Sequence, residues 1–79
     1  MKLSKAVSYR ILRICEEKDV TINKLASMCY VTQSTFQSLI DGQSRNPKLL
    51  TIIRICEGLD IQLKDFFDDQ VFDHIERED

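Results

Sequence analysis

The residues best suited to chemistry in this chain form one uncharged run, Thr32-Gln33-Ser34-Thr35-Phe36-Gln37-Ser38. At helical spacing Phe36, Leu39 and Ile40 turn inward. Gln33, Ser34, Gln37 and Ser38 then share the outer face, with Thr35 at its margin. Amides and hydroxyls both donate and accept hydrogen bonds without carrying charge. Gln fits the N6/N7 edge of adenine with two bonds, Ser and Thr serve several bases, and a methyl group meets thymine. A face that only solvates a helix is also polar, but it normally carries Lys and Glu; here Asp41, at the end, is its one charge. The pattern points to base edges read by a helix slim enough for the major groove.

Other chemistries find little support. The one histidine, His74, sits among acids with no nucleophile near it in sequence. Two glycines, Gly42 and Gly58, cannot build a phosphate-cradling loop. The acids after Asp60 lack the D-x-D-x-D-G spacing that wraps calcium. Cys15, Cys29 and Cys56 are scattered, without the C-x₂-C pairing of a zinc site, and each falls on an apolar helix face. They read as small buried hydrophobes in a reducing compartment. The expectation is no catalytic residue, no metal, no cofactor and no evident small-molecule effector. No apolar run reaches the length of a signal core or a membrane span, so a soluble, cytoplasmic protein without a membrane partner is expected.

Taken as a sum, charge opposes a polyanionic partner, because the chain carries a formal −2. The distribution reverses that inference. Residues 1–59 sum to +4 and residues 60–79 to −6, a basic body with an acidic tail.

The elements that position the uncharged face follow from apolar periodicity. With 79 residues, 43% hydrophobic, two Gly and one Pro, the chain is long enough for one small core and too poor in breakers for a loop-rich scaffold. A first helix is predicted from an N-cap at Ser4 to about Lys18, with Val7, Ile11, Ile14 and Cys15 inward. Thr21 caps a second helix carrying Ile22, Leu25, Ala26 and Cys29, and Thr32 caps a third that stops at Gly42. Two helices joined by so short a turn must cross steeply, and Ala26 is the small residue offered where they meet. Asn46–Pro47 reads as N-cap and first position of a fourth helix, with Leu49, Ile52, Ile55, Cys56 and Leu59 available to the core. A short fifth helix falls near residues 62–67. The expected architecture is all-α: five short helices, with residues 1–67 as the domain and 68–79 as an acidic amphipathic tail.

The stretch V-T-I-N-K-L-A-S-M-C-Y-V-T-Q-S-T-F-Q-S-L-I-D-G, followed by N-P-K-L-L-T-I-I-R-I-C-E-G-L-D-I-Q-L-K-D-F-F, resembles the Cro and lambda-repressor type (Xre-like) helix-turn-helix domain over roughly residues 8–67. The resemblance implies a sequence-specific double-stranded DNA-binding regulator of bacterial or phage transcription, usually a homodimer. Carried over by position, it makes Gln33, Ser34, Gln37 and Ser38 the base-contact candidates. Arg45, Asn46 and Lys48 match positions that meet the phosphate backbone, and Thr32 and Thr35 stand at the opening of the recognition helix as further backbone candidates.

The sequence departs from that pattern in three places. The family's phosphate-holding Gln at the start of the second helix is Ile22 here, so that contact passes to Thr21, Asn23 or Lys24 or is absent; Lys24 is the cation among them. Tyr30 replaces a common turn Gly, and a positive φ there would cost about 1 kcal/mol. Cys15 and Ile40 stand where many members bury an Arg–Glu pair. Joint loss of a buried ion pair is often neutral or stabilising, so this departure agrees with the fold.

Beyond Phe67, the residues Val71, Phe72 and Ile75 make an apolar strip among acids. It either packs on the first helix of its own chain or joins Leu50, Ile53 and Phe67 in a symmetric homodimer contact, and the dimer is the favoured reading. A two-fold dimer implies a pseudo-palindromic operator and an acidic tail held away from the DNA. The alternative function is a protein-interaction module on the same scaffold, antitoxin-like or an adaptor.

Overall fold

The computed structural model describes residues 1–77; the last two residues of the predicted tail, 78 and 79, lie outside the described residues. Five α-helices follow one another: α1 (Leu3–Glu17), α2 (Ile22–Met28), α3 (Gln33–Ile40), α4 (Leu49–Leu59) and α5 (Leu63–Phe66). A single 3-10 turn, Gln70–Phe72, ends the order. No strand occurs among the described residues.

The first helix is the hub. It contacts α2, α3 and the 3-10 turn, while α4 contacts α2 and α5. Val7, Ile11, Ile14 and Cys15 of α1 meet Leu25, Phe36, Leu39, Ile55 and Phe66 in one core. Each such side chain contributes about 1.5–3 kcal/mol by leaving water.

The local start and stop signals divide by range. Thr21 Oγ1 accepts the Lys24 N–H at 3.0 Å and Thr32 Oγ1 accepts the Thr35 N–H at 3.3 Å, so both predicted caps form. Gly42 follows α3 with φ +70°, which an L side chain rarely adopts. At α1 and α4 the caps differ from those expected. The first helix starts at Leu3, with uncapped Lys2 before it, because Leu3 packs against the core and draws the helix in ahead of Ser4. Ser4 is then buried inside the helix. Pro47 precedes α4 by two residues; Lys48 is still extended at ψ 137° and no side chain caps the helix. Leu49, expected in the core, is 55% exposed.

Left-handed backbone falls not at Tyr30 but at Asp19 (φ 55°) and Asp60 (φ 56°), the residues that turn the chain after α1 and after α4. Asp tolerates this region better than most L residues. Ala26 is exposed, so it is not the close point of the α2 packing. That point is Gly58: a Cβ there would lie 2.9 Å from Cys29 Sγ and 3.5 Å from Leu25 Cδ1. Glycine lets α4 come up against α2, and so sets the platform from which α3 projects.

The tail docks in cis as far as it is described. Phe72 meets Phe66 and Phe67 at ring-centroid distances of 6.0 and 5.0 Å. Asp69 Oδ2 accepts from Arg10 Nη1 at 3.2 Å and from Arg13 Nη1 at 2.8 Å. Arg10 is buried and its remaining donors reach the Phe66 and Asp65 carbonyls, both at 2.7 Å, closing the open end of α5. The regular structure of the tail is one 3-10 turn, Gln70–Phe72. Three residues of apolar strip cannot stabilise a helix alone, and the Asp69 cap on the Val71 N–H (2.9 Å) tightens the turn instead.

Candidate nucleic-acid interface

Sequence places Thr32 one residue before α3, and its hydroxyl does two jobs. It accepts the Thr35 N–H and donates to Thr35 Oγ1 at 2.9 Å. The first turn is therefore fixed before any partner arrives. Gln33, Ser34 and Gln37 are exposed along the helix, and Ser38 is half-buried beside them. Phe36 and Leu39, on the opposite side, are buried and hold that orientation. Ser8 Oγ of α1 donates to the Ile40 carbonyl, tying the C-terminal end of α3 to the hub helix.

Gln37 is not free to rotate at will: its Nε2 donates to Asp41 Oδ1 at 2.9 Å. Its Oε1 and its second N–H remain for other partners. The turn before α3 is held from behind, where Arg54 Nη1 of α4 donates to the Tyr30 carbonyl at 3.1 Å. The Tyr30 side chain itself stands 88% exposed.

Lys24, Arg45, Asn46 and Lys48 are all exposed. Lys48 directly precedes α4, whose first N–H groups lack a side-chain cap. Such N–H groups suit an anion, as do the flanking cations. Of the cations counted in the basic body, Arg10 and Arg13 turn to Asp69. Lys24 before α3 and Lys48 after it are exposed cations on either side of the helix in sequence.

Two features escaped the sequence reading. Lys2 and Lys5, distant in sequence from the helix-turn-helix, line one cleft with Gly42, Gln43 and Arg45. The acidic tail also does not keep clear of this side. Ile75 and Glu76 line a neighbouring cleft with Leu3, Arg45 and Asn46, because the Glu76 N–H donates to the Met1 carbonyl at 3.1 Å and draws the tail along the start of α1. Glu76 stands 3.8 Å from the N-terminal ammonium, which partly offsets its charge. No signal in the sequence marks that pairing, since the ends of the chain meet only after folding.

Of the apolar residues read as a dimer contact, Leu50 is 56%, Phe67 38% and Ile75 36% exposed. Ile53, Val71 and Phe72 are half-buried.

Among the described residues no three His, Cys, Asp or Glu side chains gather as a metal site. Cys15, Cys29 and Cys56 are buried free thiols. Burial pushes all three thiols up, Cys56 to about 11, which keeps them protonated and poor nucleophiles at neutral pH. No helix among the described residues is long and apolar enough to cross a membrane.

The family model of the Cro/C1-type HTH DNA-binding domain matches residues 10–71, which carries the match past α5 and into the 3-10 turn. Among solved structures it is similar to prophage Lp1 protein 11, at 30% identity and a TM-score of 0.80, over 95% of this chain and 100% of that one. No curated protein matches. The match runs from the middle of α1 through α5 and agrees with the architecture built up above: the chain belongs to the Cro/C1-type helix-turn-helix family of DNA-binding domains.

Proposed function

We propose that this protein is a small transcriptional regulator that reads double-stranded DNA by laying α3 in the major groove. The observation that carries this reading is the exposed, uncharged set Gln33, Ser34 and Gln37 on a helix whose start is locked by Thr32. Base edges are discriminated by such groups, while the cations at Lys24, Arg45 and Lys48, with Asn46, suit the phosphates on either side. Thr32 and Thr35 flank the same opening turn, and Ser38 lies deeper on the reading face. Similarity to a prophage protein favours a bacterial or phage setting and hence a cytoplasmic one. The family is one of DNA-binding domains, and an enzymatic role has no support in the residues.

The regulator acts as a homodimer in this reading. Leu49, Leu50 and Phe67 leave apolar surface in water, and a two-fold contact through α4 and the residues after α5 covers it. Two recognition helices then stand about 34–36 Å apart and the operator is a pseudo-palindrome. Phe72 is already spent on Phe66 and Phe67, so the contact relies on Leu50, Ile53 and Phe67, with Val71 and Ile75 at its rim.

Selection from a random duplex library tests both statements at once. The expected result is a pseudo-palindromic site bound by two chains. Failure to enrich any sequence would replace this reading by a protein-interaction module on the same scaffold.

A further inference from the structure

Burial of Phe36 and Leu39 decides which face α3 turns inward, but it leaves the pitch of the helix loosely set. Apolar contact is non-directional and tolerates a small roll or tilt. A hydrogen bond weakens steeply when it is misaligned. Two such bonds reach the main chain at the two ends of α3 from other helices. At the far end, the last carbonyls of α3 need partners from beyond the helix ladder. The N–H groups of Asp41, Gly42 and Gln43 take Gln37, Leu39 and Ser38 at 2.9, 3.2 and 3.0 Å. The Ile40 carbonyl instead accepts from Ser8 Oγ of α1, 32 residues away and buried. At the near end, Arg54 Nη1 of α4 donates to the Tyr30 carbonyl at 3.1 Å, two residues before the Thr32 cap.

We infer that Ser8 and Arg54 are positioning residues for base recognition: they clamp the two ends of α3 and set the angle at which its reading face meets the bases. This rests on the reading that α3 enters the major groove. Neither side chain has to touch DNA for this role. Over eight residues, about 12 Å of helix, releasing one anchor swings that end while the other stays held. Gln33 and Ser34 follow the Arg54 anchor, and Gln37 and Ser38 precede the Ser8 anchor, so each anchor governs its own base pairs. Base contacts depend on that angle. Phosphate contacts through long, flexible lysines tolerate the swing.

The test measures binding of the full chain to the selected site, to its single-base variants and to a random duplex. Ser8→Ala is expected to lower affinity for the selected site about tenfold, as the loss of one base contact would, and to leave the random duplex unchanged. Its preference should flatten at the base pairs that Gln37→Ala also flattens. Arg54→Ala should flatten preference at the base pairs that Gln33→Ala flattens. Ser8→Thr and Arg54→Lys keep a donor at each anchor and should restore the wild-type profiles. Arg54 is exposed, so its variants test the clamp even where Ser8→Ala fails to fold. Unchanged preference in either folded alanine variant, or a uniform loss across all positions, overturns this inference and leaves the major-groove reading standing. A wild-type protein that prefers no duplex overturns that reading, and the clamp's role with it.

Discussion

Gln37 Nε2 donates to Asp41 Oδ1 at 2.9 Å, one turn along the exposed side of α3. The pair restrains an amide that would otherwise sample several rotamers, and it leaves the oxygen available as an acceptor. An acceptor matches the exocyclic amino groups of adenine and cytosine in the major groove. With α3 in the major groove, as proposed, Asp41 would place a negative charge beside the DNA and weaken binding to every sequence alike. Asp41→Ala is therefore expected to strengthen binding to random duplex and to relax the preference at the base pair facing Gln37. Competition binding with single-base operator variants measures both effects. Unchanged preference at all positions would show that the pair does not orient Gln37.

Gly58 sets the approach of α4 to α2, with space for no side chain before Cys29 Sγ at 2.9 Å. Alanine improves helix propensity by about 1 kcal/mol but overpacks the contact by about 1–3 kcal/mol. Gly58→Ala is expected to lower the urea midpoint, and adding Cys29→Ala should return part of the loss by making room. A stabilised single variant would show that α2 moves away at no cost.

Asp69 gives the docked tail its pH dependence. The Val71 N–H, and then Arg13 and Arg10, hold its carboxyl below the ordinary carboxylate range, against the opposing effect of burial. A carboxylate with a depressed folded pKa stabilises fully above its unfolded value, near pH 4, and that contribution is lost as pH falls through the folded value. The contact of the 3-10 turn with α1 should hold from neutrality to about pH 4 and loosen below it. Amide exchange at Val71 reports the step, and Asp69→Asn should weaken the contact at pH 7 and flatten its acid dependence.

Local chemistry was legible in the sequence, and contacts between distant segments were not. Thr21, Thr32 and Gly42 act within a turn of their own position, so their roles follow from residue type. The inward faces of α1 and α3 follow from spacing for the same reason. Ser4 and Asn46 looked like caps equally well, but Leu3 in the one case and an extended Lys48 in the other moved the helix starts. Ala26 was the plausible small residue at a helix junction, yet the tight approach belongs to Gly58, which faces α2 only through the crossing of α4. The candidate reading face was visible for its lack of charge. Lys5, 37 residues before Gly42, and Arg10, 59 residues before Asp69, acquire their partners from topology alone. Summed charge gave the sign of the tail but not its course beside Arg45.

The central claim is that α3 reads bases and its flanking cations read phosphates, and the most direct measurement separates the two. Binding of wild-type, Gln33→Ala and Lys48→Ala proteins is compared on the selected operator and on random duplex at fixed salt. The account predicts that Gln33→Ala costs about 1–3 kcal/mol on the operator and nothing measurable on random DNA, while Lys48→Ala weakens both. Equal affinities of all three proteins for both duplexes would contradict it.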